Sequence, residues 1–170
     1  MTFTQCKDYI RSDYYRITGV ISDSLLKMYT ASFWDVGFRF LFWFRLAKCN
    51  NRFVNSFARI IYMHMRLKHK IDIDRNTDIG YGFRLPHGGP VVINVSSIIG
   101  DNVDIYQYSS IGSMFRNAAE IGNNVYIGPS VCIVENVHID DGVTIGAGSV
   151  VVKDFQGGNG CRQSCKSYFS

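Results

Sequence analysis

No run of roughly twenty apolar residues, the length a membrane-spanning helix needs, occurs in this 170-residue chain. The most apolar stretch, Phe33 to Cys49, is interrupted by Asp35, Arg39, Arg45 and Lys48. The opening lacks the apolar centre of a secretory signal, because residues 1–16 carry Lys7, Asp8, Arg11, Asp13 and Arg16. The five cysteines (Cys6, Cys49, Cys132, Cys161, Cys165) are odd in number and lack the paired spacing of a metal site. A reducing cytoplasm is the expected location, with the inner face of the membrane as the alternative. Turn signals every 8–12 residues, the mark of an antiparallel sandwich, are missing. So is any nucleic-acid reading motif, and nucleic-acid binding is set aside.

What is present divides the chain in two. Apolar residues make up 46% of it, enough to bury a core. The net charge of +4 conceals an asymmetry: residues 1–70 hold twelve Lys/Arg against four Asp/Glu, and residues 71–170 hold six against ten. A basic part precedes an acidic one, and each is read separately.

The acidic part has a fixed period of six. Ile121, Ile127, Ile133, Ile139, Ile145 and Val151 fall six apart, with glycine following at 122, 128 and 146 and valine at 125, 131, 137 and 143. The period recurs in other phases at Ile93, Ile99, Ile105 and Ile111, and at Ile73, Ile79, Leu85 and Val91. Six matches neither a 3.6-residue helix nor the simple alternation of a strand. It matches a short strand, a turn and another short strand, with the aliphatic residue facing inward each time. Three units close a coil of about 18 residues, and stacked coils bury a continuous core. The expected fold is mainly β, a left-handed parallel β-helix of hexapeptide repeats with an N-terminal α-helical segment. The phase breaks twice, with a step of eight from Val91 to Ile99 and of ten from Ile111 to Ile121. Extra residues in a solenoid leave the coil as loops, often on the binding face. Ser113–Glu120, with Phe115 and Arg116, is therefore expected at a subunit interface or ligand edge.

The run Lys70-Ile-Asp-Ile-Asp-Arg-Asn-Thr-Asp-Ile-Gly-Tyr-Gly-Phe-Arg-Leu-Pro-His-Gly-Gly-Pro-Val-Val-Ile, followed by Ile98-Ile-Gly-Asp-Asn-Val and Ile145-Gly-Ala-Gly-Ser-Val-Val-Val, resembles the serine acetyltransferase branch of the hexapeptide acyltransferases. The short helical leader is similar to that of its capsular and exopolysaccharide O-acetyltransferases. The resemblance implies acetyl-CoA as donor, no metal, and a homotrimer with CoA in a groove between subunits. It implies His87 as the base that deprotonates the acceptor hydroxyl, and Asp72, fifteen residues earlier, as the carboxylate that orients it. Imidazole suits that task near neutral pH, and a carboxylate on its second nitrogen fixes the tautomer. By the same resemblance Gly112, Ser113, Gly128, Pro129, Ala147 and Gly148 line the CoA groove, where small residues allow close approach.

Two departures bear on the acceptor. Serine acetyltransferases have Asp before the catalytic His, where this chain has Pro86. Their Arg-His-Pro element is missing, so only Arg116 carries over as a substrate-binding residue. The expectation drawn from these losses is a neutral carbohydrate hydroxyl in bacterial surface-polysaccharide synthesis, with serine O-acetylation in cysteine biosynthesis as the alternative. A zinc enzyme of the gamma carbonic anhydrase type is remote, since three His ligands at a suitable spacing are lacking.

Residues 1–70 are expected to form an α-helical leader, with helices within 33–49 and 52–68. Arg45, Arg52, Arg59 and Arg66, seven apart, are expected along one helical face. Residues 33–68 allow peripheral contact with an anionic membrane; packing of their aromatics on the β-helix or a neighbouring subunit is the favoured expectation. Residues 71–155 are expected to form the β-helix domain. The tail, 156–170, departs from the family's ending. Reverse-translated from Gly160 to Ser170 and shifted by one nucleotide, it can spell Val-Gly-Asn-Pro-Ala-Lys-Val-Ile-Ser. A frameshifted and poorly ordered tail is the expectation.

Overall fold

The structure, a computed structural model, describes residues 1–114 and 117–156. Four helices come first: α1 (Phe3–Thr18), α2 (Leu25–Ala31), α3 (Val36–Leu46) and α4 (Arg52–His69). Each starts where a side chain satisfies the free N–H groups of its first turn. Thr2 and Gln5 form a reciprocal capping box for α1. The Asp35 carboxylate accepts from the Phe38 N–H at 2.7 Å, and Asn51 accepts from Phe53 and Val54.

Twelve short strands then wind into three parallel sheets. The first holds β1 (Ile71–Ile73), β3 (Val91–Ile93), β6 (Ser110–Gly112), β9 (Cys132–Val134) and β12 (Val150–Val151), in that order. The second holds β2 (Asp78–Ile79), β4 (Ile98–Ile99), β7 (Glu120–Ile121) and β10 (His138–Ile139). The third holds β5 (Asp104–Ile105), β8 (Tyr126–Ile127) and β11 (Thr144–Ile145), extended upward by a bridge from Arg84 to Asp104. This is a parallel β-solenoid. All of the six-spaced aliphatic residues, from Ile73 to Val151, are buried in its interior.

Strand register explains both phase breaks. In the first sheet Asp72 pairs with Val92, Val92 with Ser110, Ser110 with Cys132 and Cys132 with Val150. Successive coils therefore take 20, 18, 22 and 18 residues. The two extra residues of the first coil fall between Arg84 and Val92, the corner that carries His87. The four extra residues of the third coil fall between Ser110 and Glu120. The two lengthened corners lie on opposite edges of the first sheet.

The leader caps the first coil through a buried ion pair. Arg45, 1% exposed, donates to both carboxylate oxygens of Asp13 at 2.9 and 3.2 Å and to the carbonyls of Ile79 and Gly80 at 2.8 and 2.6 Å. Such a pair is tolerable inside a protein only when its remaining hydrogen-bonding capacity is met, as it is here. Burial pushes the Asp13 carboxyl up, and the Arg45 charge opposes that shift. The expected arginine row is thus corrected. Arg45 is on α3 and buried, Arg52, Arg59 and Arg66 are on α4, and Arg66 turns to pair with Asp72.

Candidate active site

The sequence Leu85-Pro-His-Gly-Gly makes a tight 3₁₀ turn at Pro86–Gly88, where the proline ring presets the first helical φ. His87 adopts φ +67°, a left-handed conformation uncommon for a residue with a side chain. Packing around the turn holds it there. A Cβ on Gly88 would lie 2.5 Å from the Gly37 nitrogen, and one on Gly37 would lie 2.1 Å from the Leu85 carbonyl oxygen. The first turn of α3 is therefore pressed flush on the turn that carries His87. From below, a Cβ on Gly89 would come within 2.8 Å of Gln107 Cβ.

The imidazole projects into solvent and, among the described residues, makes no hydrogen bond or ion pair. Its ring sits 6.0 Å from Tyr106, which is 5.1 Å from Tyr126. Burial, then the hydrogen bond with Tyr106, pushes the Tyr126 hydroxyl up. Beside this column Gln107 Oε1 is buried without a hydrogen-bond partner among the described residues. An unpaired buried acceptor is costly unless a ligand or water meets it. Sequence reasoning missed Tyr106 and Gln107, which stand outside the aliphatic period. The eight-residue step beside His87 was the signal that the coil changes shape there.

Within one chain Asp72 is not brought to His87. Its carboxylate, on the outer side of β1, is engaged by the Arg66 guanidinium, with Nε at 3.0 Å and Nη2 also donating. No hydrogen bond joins it to His87. The counterpart was hard to foresee, because it comes from α4 rather than from the repeats.

The expected CoA-groove residues divide between two corners. The Gly148 N–H donates to the Pro129 carbonyl at 2.9 Å, and a Cβ on Gly128 would lie 2.9 Å from the Ala147 nitrogen. These four stack along the edge between the third and first sheets. The His87 turn tops the same column, through the Tyr108 N–H to Pro90 carbonyl and Ser130 N–H to Gln107 carbonyl bonds. Gly112 and Ser113 lie at the opposite edge of the first sheet, where the Ser113 hydroxyl donates to Glu135 at 3.0 Å. Among the described residues nothing lies within 4 Å of a Cβ built on Gly112 or Gly148, which leaves room there for a ligand to approach the backbone. Arg116, the expected substrate contact, lies outside the described residues, as do Phe115 and the tail from residue 157. A cavity of about 630 Å³ between leader and first coil is lined by Tyr9, Arg45, Lys48, Arg75 and Asp78, and not by His87. Among the described residues no three His, Cys, Asp or Glu side chains gather as a metal-ligand set.

Comparison with known proteins places this geometry. Residues 118–153 match the family described as bacterial transferase hexapeptide (six repeats). The serine acetyltransferase of Staphylococcus epidermidis is 37% identical over 108 residues, 61% of this chain and 50% of that protein. That of Synechococcus elongatus is 33% identical over 100 residues, 56% of this chain and 41% of that protein. The chain thus spans about half the length of these curated relatives. Among solved structures, Neisseria gonorrhoeae serine acetyltransferase in complex with serine superposes with a TM-score of 0.70 at 26% identity, covering 89% of this chain and 64% of that one. Entamoeba histolytica serine acetyltransferase isoform 3 in complex with cysteine gives 0.73 at 23% identity, covering 99% and 62%. These relatives overturn the expectation of a carbohydrate acceptor in polysaccharide synthesis. The absence of Asp before His87 was read as loss of amino-acid recognition, yet the repeats that surround it are similar to those of enzymes named for serine. Residues 118–153 carry the hexapeptide repeat of the bacterial transferases, on a β-solenoid chain similar to serine acetyltransferases.

Proposed function

We propose that this chain transfers an acetyl group from acetyl-CoA to the hydroxyl of serine. The observation that carries the reading is the His87 turn: an exposed imidazole with no hydrogen bond or ion pair among the described residues, held in a left-handed conformation on a lengthened corner. The similarity of the surrounding repeats to serine acetyltransferases supports acetyl transfer as the reaction that this imidazole serves. An imidazole nitrogen of His87 takes the hydroxyl proton as the serine oxygen attacks the thioester carbonyl. The tetrahedral adduct expels CoA as thiolate, which recovers the proton, leaving O-acetylserine and CoA. Gln107 Oε1 offers an acceptor to an ammonium or amide N–H bound beneath the turn.

Within one chain the His87 column and the Gly112–Ser113 corner sit on opposite edges of the first sheet, so no single groove holds both. We place the donor between two copies of a trimer, each supplying one edge. The test is thiol release from acetyl-CoA with L-serine, with mass detection of the product. Release that depends on serine and yields O-acetylserine is the expected result; no such product from active, folded protein would overturn the assignment.

A further inference from the structure

The outward side of α4 is mostly apolar, broken by the exposed Ser56 and His64. Phe53 is 89% exposed and Ile60 72%, and Phe57, Met63 and Leu67 are exposed beside them, while Ala58, Tyr62 and Met65 face the core. At 100° per residue the exposed five fall on one broad stripe, opposite the buried three. Arg52 and Arg59 border it on one side and Lys68 on the other. Of the favoured expectation, packing of the aromatics on the β-helix or on a neighbouring subunit, the first part does not hold for Phe53 and Phe57, which face away from the solenoid within one chain.

The stripe continues across Trp43 of α3 and Tyr29 of α2 to the turn between those helices. Ring contacts run from Phe57 to Trp43 at 5.8 Å, Trp43 to Tyr29 at 6.0 Å and Tyr29 to Phe33 at 5.1 Å. Next to Phe33, Trp34 is 93% exposed. The neighbouring carboxylate, Asp35, is occupied in capping α3.

Charge decides what covers this face. The eighteen residues of α4 include no Asp or Glu, and the leader as a whole carries twelve cations against four carboxylates. A second copy packed α4 against α4 would set Arg52, Arg59 and Lys68 against cations with no carboxylate to receive them. An anionic surface with an apolar interior meets both features. No helix among the described residues is long and apolar enough to cross a membrane. We propose that the face formed by α4 and Trp34 docks in the plane of an anionic lipid bilayer, with Phe53, Ile60 and Trp34 at the acyl boundary and the flanking cations on lipid phosphates.

The proposal does not depend on the acetyl-transfer reading, and its test needs no turnover. The full chain is sedimented with vesicles of phosphatidylcholine alone and of phosphatidylcholine mixed with phosphatidylglycerol. Binding to the mixed vesicles that weakens with salt, and a blue shift of tryptophan emission that Trp34→Phe abolishes, are expected. Arg52→Gln and Arg59→Gln each weaken partition about fivefold, the equivalent of about 1 kcal/mol per basic residue near such a surface. Phe53→Ser with Ile60→Ser abolishes it while the circular dichroism stays unchanged, because both side chains are exposed. A chain that stays in the supernatant with mixed vesicles overturns the proposal. So does a change of oligomeric mass in the Phe53→Ser, Ile60→Ser protein, which assigns the face to another copy or a protein partner.

Discussion

At the scale of single residues, His87 and Asp72 separate in a way that kinetics can read. Replacing His87 with Ala removes the proposed base and should lower kcat by about 10²–10⁴-fold. Asp72 is held by Arg66 and makes no hydrogen bond to the imidazole, so Asp72→Asn should cost far less than His87→Ala under the same assay. Equal losses in the two variants would restore the carboxylate to the site. Lys48 supplies a prediction about stability. Its ammonium donates to the Thr77 carbonyl at 2.6 Å, yet burial, then the nearby Arg45 charge, pulls its pKa down to about 8 from 10.5. The unfolded chain therefore binds the Lys48 proton more tightly than the folded one does. Below pH 8 both states are protonated and the burial penalty is fully felt. As pH rises above 8 the folded state sheds that proton first, and stability should climb by about 1 kcal/mol by pH 9. Cys6 works against this above pH 9, because burial raises its thiol to about 11 from 9.0 and the unfolded chain then loses its proton first. Urea unfolding at pH 7 and pH 9 measures the gain, and Lys48→Met should flatten it.

At the scale of elements, the contact between α3 and the His87 turn links the leader to the chemistry. Gly88 has φ +54° and no room for a methyl group, and Gly37 faces the Leu85 carbonyl across the same contact. Gly88→Ala should therefore destabilise the fold by about 1–3 kcal/mol, the usual cost of a strained backbone position. Gly37→Ala should displace the turn and lower kcat in protein that still unfolds cooperatively. A Gly37→Ala enzyme with unchanged kcat would show that the turn holds His87 without α3. This contact also marks what the sequence made legible. The aliphatic residues from Ile73 to Val151 announce the solenoid because burial inside a coil constrains each of them alike. The two phase breaks announce the unusual corners. Helices α3 and α4 are visible as apolar periodicity, but which faces are buried is not, since Phe53 and Tyr62 look equally apolar until the solenoid is in place. Arg45 and Arg66 fall in one seven-residue row, yet they reach different carboxylates on different elements. The pairing of Asp72 is a tertiary event between α4 and β1, and it leaves no mark within the repeat.

At the scale of the whole molecule, the first sheet has an outer surface that suits association. Val92 and Val150 are about half exposed there, with Val134 and Val152 at its margin. Closed cyclic assembly buries such a surface and joins the two edges that hold the candidate groove residues. Multi-angle light scattering should give a mass about three times the 19.3 kDa of one chain. Val92→Glu with Val150→Glu should give monomers and remove turnover while the far-ultraviolet spectrum is retained. A monomer with full activity would place the groove within one chain.

The eighteen-residue register from Cys132 to Val150 has a consequence for how the molecule can vary. A coil of that length begins and ends at the same point of the triangle, so a duplicate spliced in after β9 should thread without altering any corner above it. The prism would grow by one strand spacing, about 4.8 Å, and the helical roof would not register the change. In such a lengthened protein the distance from His87 to Phe155 becomes an adjustable dimension, leaving its upper half as a fixed workbench.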